Sequence, residues 1–557
     1  MADVAQADKI ATTPQIETKN LTGGEALLES LKRQGVDTFF ALPGIQLDGF
    51  FAALYDDRAS FRVIHPRHEQ ATAYMADGFA RVTGREGVCV VVPGPGLLNT
   101  TAALSTAYSA NSPVLCVTGQ IQSDMIGVGR GLLHEIPNQL GMIRSVTKHA
   151  ARAISPEAIP ALVDEAFVQL RTGRPRPVEI EVPHDTLFAR DKVTLLPAVA
   201  PRPRPAGDPD LLERSAKLLG EATSPVIFAG GGISRASANA ELLVLAELLE
   251  APVVVTGNGR GAISDRHYLA QGALAEKQLF QSADVILAVG TRFVAQFDAA
   301  RIVAAGQTVI QIDIDEEEIG RNVKVNLPIV ADVKAALAEL ADRVVRHNRA
   351  RPSRKSELEN LRGSIDARLS EIHPQSEFCA AIRAELPDDG ILVTEMTQLG
   401  YWSNLAFPVY EPNTYLTPGY QGTLGCGFCI SLGAKVGKPD APVVSINGDG
   451  GFGFTMNELA TQAQHNIASI TIVFNDNAYG NVRRMQVHDY GNRIIASDLT
   501  NPDFVRLAET FGVTGRRATN APELRTQLRE AIEANEPTLI EVPVQEMPNP
   551  WKALGLR

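Results

Sequence analysis

The chain has 557 residues, of which 45% are hydrophobic and 21% are charged. That length exceeds one domain of about 150 residues and predicts three or four domains of a soluble globular protein. The formal net charge of -12 argues against a dedicated nucleic-acid binder, which would carry a basic face.

The sequence shows no sign of export or membrane insertion. Residues 1–20 are polar and lack the apolar segment of a signal peptide. No stretch approaches the about 18 apolar residues of a transmembrane helix. The 5 cysteines lie in apolar surroundings, which indicates a reducing compartment rather than a disulfide framework. We therefore expect a cytoplasmic protein with no membrane partner.

Short apolar runs alternate with longer amphipathic stretches along most of the chain, a rhythm typical of parallel sheets covered by helices. Two stretches interrupt it, the proline-rich residues 195–210 and the charged residues 346–374. The first predicts a spacer, and the second a surface linker with a solvated helix. The sequence therefore predicts an α/β protein of three domains, each a mainly parallel sheet covered by helices: residues 20–190, 208–345 and 375–548.

The middle domain contains a predicted strand followed by Gly230, Gly231 and Gly232 and then by a helix start. A glycine turn in that place can cradle a phosphate group of a nucleotide. The same triplet is also common as a tight turn between a strand and a helix. Both interpretations stay open from the sequence.

The third domain carries the clearest chemical signal, at the ends of two predicted strands. Asp449 ends the first strand within GDG, and Asp476 ends the next within NDN, 27 positions later. Because the carboxyl ends of parallel strands share one sheet edge, the two carboxylates can converge on one cation. Hard oxygen ligands suit Mg²⁺ or Ca²⁺. Either tripeptide alone would be explained as a turn, but the pair favours a metal site.

GDG followed by NDNAYG resembles the diphosphate and metal motif of thiamine diphosphate enzymes. Residues 67–84, RHEQATAYMADGFARVTG, resemble the pyrimidine-domain helix of the acetolactate (acetohydroxyacid) synthase and benzaldehyde lyase branch. PGPG, VTGQI, TKHAAR, AVGTRF and GTLGCG follow in that family's order, so the resemblance covers nearly the whole chain. It implies a pyrimidine-binding domain, a central nucleotide-binding-like domain and a diphosphate-binding domain.

The resemblance implies bound thiamine diphosphate and Mg²⁺. Glu69 stands at the position of the glutamate that hydrogen-bonds the aminopyrimidine ring and favours the imino tautomer, which takes the proton from thiazolium C2. The alternative is that Glu69 only caps the following helix. Leu424 matches the bulky residue that wedges between the two cofactor rings. The other implied cofactor contacts are Pro95, Asn99, Gln398, Gly448, Gly450, Gly451, Tyr479 and Gly480.

The implied metal ligands are Asp449, Asp476 and the carbonyl oxygen of Ala478. The family more often has Asn where this chain has Asp476. A second carboxylate should strengthen Mg²⁺ binding while adding negative charge beside the diphosphate.

Two positions align with residues that the family places in its active site. Gln46 aligns with an active-site His of benzaldehyde lyase, and His134 aligns with a Gln that both branches place beside the reacting carbon. An imidazole can move protons near pH 7, so His134 is the predicted general acid or base, with a purely structural histidine as the alternative. The other implied substrate-pocket residues are Ile45, Tyr401 and Met485.

The chain departs from acetolactate synthases at several places. The family's RFDDR is Arg292 to Gln296 here, its GQHQ run is residues 397–400, its pocket Trp is Met485, and the flavin-associated GMHG is missing. The central site implied by the resemblance comprises the glycines at 230–232, Arg292 and Asp313. It would hold FAD, ADP or nothing.

The resemblance implies a lyase or carboligase that decarboxylates a 2-oxo acid and adds the acyl anion equivalent to a carbonyl acceptor, giving a 2-hydroxy ketone. One alternative is cleavage of a 2-hydroxy ketone or a 2-hydroxyacyl-CoA, and another is a non-catalytic nucleotide-binding regulatory subunit. The expected substrate is thus a 2-oxo acid, an aldehyde or an acyl-CoA. Because the family builds its active site between subunits, we expect a homodimer or a homotetramer.

Overall fold

The computed structural model describes residues 16–294 and 303–555, and within them it forms three six-stranded sheets. Neighbouring strands are parallel in all three sheets. Strands such as Gly87–Val91 and Ile470–Asn475 are buried along their whole length, as expected for parallel strands covered by helices on both faces. The predicted α/β fold with three parallel sheets is confirmed.

The first sheet has the strand order β3-β2-β4-β5-β7-β6, and β1 and β8 pair separately as an antiparallel ribbon. The strands are β1 (Glu17–Thr22), β2 (Thr38–Ala41), β3 (Arg62–Ile64), β4 (Gly87–Val91), β5 (Val114–Gln120), β6 (His149–Arg152), β7 (Val178–Pro183) and β8 (Arg190–Leu195). The helices are α1 (Gly23–Arg33), α2 (Asp48–Asp56), α3 (Glu69–Thr83), α4 (Pro95–Ser109), α5 (Gln139–Ile143), α6 (Ile159–Arg171) and α7 (His184–Phe188).

The central sheet has the order β11-β10-β9-β12-β13-β14 and its own hydrophobic core. Its strands are β9 (Pro225–Ala229), β10 (Val253–Val255), β11 (Ala270–Gln271), β12 (Val285–Val289), β13 (Thr308–Asp313) and β14 (Leu327–Val330). Its helices are α8 (Pro209–Glu221), α9 (Gly232–Ala236), α10 (Asn239–Leu249), α11 (Glu276–Ser282) and α12 (Val333–Val344).

The two segments predicted as connections differ in structure. Residues 196–208, in the proline-rich stretch, have no regular secondary structure. The charged segment contains α13 (Lys355–Ser370), whose side chains are mostly outside the core apart from Leu358 and Leu369. Along the described ranges, we find no helix with the length and apolar content needed to cross a membrane.

The third sheet has the order β16-β15-β17-β18-β20-β19. Its strands are β15 (Ile391–Thr394), β16 (Tyr415–Leu416), β17 (Val443–Gly448), β18 (Ile470–Asn475), β19 (Thr514–Arg517) and β20 (Thr538–Pro543). Its helices are α14 (Gln375–Glu385), α15 (Gln398–Ala406), α16 (Cys426–Gly437), α17 (Asp449–Phe452), α18 (Leu459–Gln464), α19 (Gly480–His488), α20 (Phe504–Phe511), α21 (Ala521–Ala534) and α22 (Pro550–Ala553).

The first and third domains share one hydrophobic core, in which α3 packs directly against α16. The helices approach so closely that a Cβ atom at Gly78 would lie 2.1 Å from the carbonyl oxygen of Ile430. A Cβ atom at Gly433 would lie 1.9 Å from the carbonyl oxygen of Met75. Glycine is therefore required on both helices at this crossing, and the crossing fixes α3 relative to the third domain.

Candidate active site

Glu69 is the first residue of α3, and its carboxylate faces the start of α4. Asn99 Nδ2 donates a hydrogen bond of 2.9 Å to Glu69 Oε2. The helix cap is the preceding residue, His68, whose Nδ1 accepts from the backbone N–H of Gln70 at 3.2 Å. The alternative that Glu69 serves as the cap is therefore not what the structure shows, and no hydrogen bond from a described residue reaches its second oxygen, Oε1.

Gln46 and His134 are in direct contact beside this group. Gln46 Nε2 donates to the carbonyl oxygen of Leu133 at 3.0 Å, so Gln46 Oε1 faces His134 Nδ1 at 2.8 Å. Since an amide oxygen only accepts, His134 Nδ1 carries the proton of this bond. In the neutral imidazole, the Nε2 atom of His134 then carries the lone pair. His134 also adopts a left-handed backbone conformation, with φ of 68°.

Asp449 and Asp476 come together at the carboxyl edge of the third sheet, as the sequence predicts. Asp449 follows β17 and is 2% exposed, and Asp476 follows the neighbouring strand β18. The two carboxyl groups contact each other, and the backbone N–H of Ala478 lies close to both. Burial raises the pKa of Asp449, and burial together with the neighbouring Asp449 raises the pKa of Asp476 to about 7.

Amide side chains surround this carboxylate pair. Gln398, the first residue of α15, donates through Nε2 to Asp476 Oδ2 at 2.7 Å. Asn501 donates through Nδ2 to Asp449 Oδ2 at 2.6 Å and to Asn475 Oδ1 at 3.0 Å. Asp449, which is buried, and Asp476, which is partly buried, are held against each other by neutral donors, and the charge of the pair suits a divalent cation. The donor set therefore fits Mg²⁺.

The loops around the carboxylate pair leave no room for larger side chains. A Cβ atom at Gly480 would lie 2.2 Å from Asp476 Oδ2, and one at Gly450 would lie 2.6 Å from the ring of Tyr479. Gly448 and Gly451 complete the same turn, where β17 passes into α17. The strand end thus presents backbone rather than side chains at the place where a diphosphate would bind.

Glu395 is a buried acidic residue that sequence reasoning missed. It is 1% exposed and accepts a hydrogen bond from the backbone N–H of Gly425, directly after Leu424. Burial raises the pKa of its carboxyl group to about 8. A Cβ atom at Gly451 would lie 2.5 Å from Glu395 Oε1, so the carboxyl group also touches the GDG turn. Glu395 therefore joins the loop of Leu424 to the loop of Asp449.

The predicted pocket residues divide between two groups. Ile45 is 54% exposed in the first domain, next to Gln46, and Met485 is 43% exposed on α19 of the third domain. Tyr401 on α15 packs edge-on against Trp551 with ring centroids 5.1 Å apart. Pro95 opens α4, one turn before Asn99. Within the described parts of the chain, no hydrogen bond joins the group around Glu69 to the Asp449 and Asp476 pair.

The residues predicted for the central site contact other residues of the chain. A Cβ atom at Gly230 would lie 2.2 Å from the carbonyl oxygen of Gly290, so this glycine is required by packing; Gly231 and Gly232 continue the turn into α9. The guanidinium of Arg292 stacks 4.4 Å from the Tyr420 ring centroid. The close approach of Gly290 explains Gly230 without a nucleotide, and FAD or ADP stays a prediction. The neighbouring Ala295 and Gln296 lie outside the described residues.

The acidic turn after β13 is held by an arginine from the first domain. Arg174 lies 2.8 Å from Glu318 and 3.7 Å from Asp313, and all three side chains are buried. Burial raises the pKa of Asp313, while Arg174 opposes that shift. The Asp313 carboxylate implied for the central site therefore already faces the Arg174 cation across the domain boundary.

Comparison with known protein families gives three matches, one in each domain. Residues 21–142, 212–340 and 395–542 match the families described as the N-terminal TPP binding domain, the central domain and the C-terminal TPP binding domain of thiamine pyrophosphate enzymes. Thiamine pyrophosphate, or TPP, is another name for thiamine diphosphate.

Full-length relatives agree with these matches. The chain is 36% identical to a probable acetolactate synthase large subunit of Methanocaldococcus jannaschii, with 95% of this chain and 93% of the relative covered. It is 33% identical to a probable 2-ketoarginine decarboxylase of Pseudomonas aeruginosa, with 95% of both chains covered. It is 32% identical to an acetolactate synthase of Arthrospira platensis, with 94% of both chains covered.

Proposed function

The chain belongs to the thiamine pyrophosphate enzyme family and is a thiamine diphosphate-dependent enzyme, and we propose that it decarboxylates a 2-oxo acid and joins the acyl unit to a carbonyl acceptor. The product would be a 2-hydroxy ketone. Because the chain is an enzyme of this family, the alternative of a non-catalytic regulatory subunit no longer applies. The observation that carries the proposal is the presence of both half-sites, Glu69 with Asn99 and Asp449 with Asp476, in a chain related to acetolactate synthases.

The residues at the two half-sites suit the two ends of the cofactor. Asp449, Asp476 and the carbonyl oxygen of Ala478 would hold Mg²⁺ against the diphosphate, which the glycine turn, Gln398 and Tyr479 would surround. Leu424 would support the bend between the rings, and Pro95 with Asn99 would border the pyrimidine. When bound, thiamine diphosphate supplies a carbanion at its thiazolium C2.

Glu69 would hold a proton at the aminopyrimidine ring through Oε1. The bond from Asn99 to Oε2 orients the carboxyl group, because it leaves one oxygen directed elsewhere. His134 would move a proton to or from the substrate oxygen through Nε2, since its Nδ1 donates to Gln46. Gln46 would thus select the tautomer of His134 rather than act on the substrate itself.

Two copies of the chain would complete each active site. The group around Glu69 belongs to the first domain and the metal group to the third, and no hydrogen bond among the described residues joins them within one chain. We propose that the first domain of one copy meets the third domain of another, in a cytoplasmic homodimer or homotetramer. A monomer would then bind the diphosphate end without activating the cofactor.

His134→Gln should lower kcat and kcat/KM together, because the proposed proton transfer stabilises the transition state. The pH dependence of kcat should change, because the variant removes the group proposed to move the proton. Hydrogen exchange at the cofactor C2 should be spared. Steady-state kinetics across pH measure this. A change confined to KM, with an unaltered pH profile, would show that His134 only lines the pocket.

Gln46→His combined with His134→Gln tests whether the two side chains act as a unit. The structure places them in one hydrogen bond, so their effects should be non-additive in a double-mutant cycle. Partial recovery of kcat in the double variant is the expected result. Strict additivity would mean that Gln46 does not act through His134.

A panel of substrates tests the proposed reaction on the reconstituted enzyme with Mg²⁺ and thiamine diphosphate. It should include pyruvate, 2-oxobutyrate and 2-ketoarginine, with CO₂ release and products followed by mass spectrometry. We expect CO₂ release together with a 2-hydroxy ketone. An aldehyde as sole product would favour simple decarboxylation, the activity in the printed name of the Pseudomonas relative. Cleavage of a 2-hydroxy ketone or 2-hydroxyacyl-CoA without CO₂ would favour the lyase alternatives.

A further inference from the structure

Glu458 is a buried carboxylate of the third domain that binds the first domain directly before Glu69. It lies between α17 and α18 and is 0% exposed. Its Oε2 accepts from the backbone N–H of Arg67 at 2.9 Å, and its Oε1 accepts from the backbone N–H of His68 at 2.9 Å. One side chain therefore holds two consecutive peptide groups of the loop that presents Glu69.

The remaining partners of Glu458 fix its own rotamer. Asn457 Nδ2 donates to Oε1 at 2.9 Å, and the Thr461 hydroxyl donates to Oε2 at 2.5 Å. Each of these partner groups is a hydrogen-bond donor, so the site matches a carboxylate, which only accepts. An amide in its place would turn one NH₂ group toward a donor.

The loop from β3 to α3 is anchored to the third domain along its length. The backbone N–H of His65 donates to His465 Nε2 at 3.2 Å, and Arg67 donates to Gln464 Oε1 at 2.7 Å. Beyond Glu69, Gln70 Nε2 donates to the carbonyl oxygen of Phe454 at 3.1 Å. The residues on both sides of Glu69 are thus held by residues 454–465, while the Glu69 carboxylate itself contacts Asn99.

We propose that Glu458 is a positioning residue that fixes the Glu69 carboxylate by holding the backbone before it. The proposal rests on the proposed role of Glu69 in activating the cofactor. A catalytic group displaced by about 1 Å can lose roughly 10²-fold in rate, so an anchor at the adjacent peptide bears on catalysis. A merely structural link between domains would instead change stability or cofactor affinity and leave proton transfer in the saturated enzyme unchanged.

Glu458→Gln tests the proposal in the complete holoenzyme. At saturating Mg²⁺ and thiamine diphosphate, C2–H exchange in deuterated water should slow by at least about tenfold, because the Glu69 carboxyl group would be displaced. Cofactor Kd should stay within about threefold, since the metal and diphosphate contacts are untouched. Glu385→Gln is the control, because Glu385 is a partly buried carboxylate that joins Arg525 and Arg529 away from both half-sites. It should exchange at the wild-type rate.

Two further variants decide the outcome. Glu69→Gln combined with Glu458→Gln should exchange no more slowly than Glu69→Gln alone, because Glu458 acts through Glu69. Glu458→Asp keeps both acceptor oxygens and should exchange at a rate between wild type and Glu458→Gln. If Glu458→Gln does not fold, slowed exchange in Glu458→Asp at unchanged Kd supports the proposal.

Wild-type exchange in folded, saturated Glu458→Gln would overturn the positioning role, as would full additivity in the double variant. Where Glu458→Gln does not fold, wild-type exchange in Glu458→Asp would overturn it. Wild-type exchange in Glu69→Gln is a different result. It would remove the proposed role of Glu69 itself, so the two failures are distinguishable.

Discussion

Asp449→Ala should abolish retention of thiamine diphosphate, even at about millimolar Mg²⁺. The variant loses a buried carboxylate at the sheet edge and leaves Asp476 as the one remaining charged ligand beside the diphosphate. Without the metal, the negative diphosphate would face a carboxylate directly. Binding is measured by calorimetry and by mass spectrometry of the cofactor retained after gel filtration.

Asp476→Asn is the matched control for this prediction. The amide keeps one oxygen for the metal and removes one of two adjacent like charges, a pair whose repulsion contributes to the raised pKa of Asp476. Asn is also the family's commoner residue at this position, so cofactor binding should survive. Loss of all cofactor in Asp476→Asn with retention in Asp449→Ala would show that the ligands are wrongly assigned.

The sequence predicted the convergence of Asp449 and Asp476 because two local rules were enough. Each aspartate directly follows an apolar run, and parallel strands end at a common edge. The structure places the two residues directly after the neighbouring strands β17 and β18. The same rule applies to Glu395, which directly follows β15. Glu395 was not predicted because it lies outside any glycine motif.

Asn501 could not be predicted, because its contact with Asp449 depends on irregular structure. The segment before it runs back along the metal loop, with the N–H of Tyr479 donating to the carbonyl oxygen of Ser497 at 2.8 Å and that of Leu499 donating to Asn477 at 2.7 Å. No periodic pattern encodes these bonds. The role of Glu458 could not be predicted for a related reason, since its partners in the first domain are nearly 400 positions away in the sequence.

In the central domain, residues of types that occur in nucleotide sites contact other parts of the chain instead. The sequence left the glycine turn open between a phosphate cradle and a tight turn, and the resemblance assigned Asp313 to the central site. In the structure, Gly230 is required by the close approach of Gly290, and Asp313 faces Arg174. Sequence spacing could not reveal either partner, because each comes from a distant part of the chain.

Glu69→Gln should leave thiamine diphosphate binding largely intact and slow C2–H exchange in deuterated water by at least about 10²-fold, the scale of a lost proton-transfer catalyst. Gln can still accept from Asn99, so the fold around α3 and α4 should persist. It cannot share a proton with the aminopyrimidine ring. Exchange is followed by NMR after quenching, with cofactor saturation confirmed by the measured Kd.

Asn99→Ala provides the graded comparison, because it keeps the Glu69 carboxyl group and removes the bond to Oε2. An orienting contact of this kind should slow exchange less than loss of the carboxyl group itself, by about tenfold if one charge-assisted hydrogen bond is lost. The order wild type, Asn99→Ala, Glu69→Gln in falling rate is therefore expected. Exchange at the wild-type rate in saturated Glu69→Gln would refute the proposed proton transfer, whatever the effect of Asn99→Ala, because the activation step would then not need this carboxyl group.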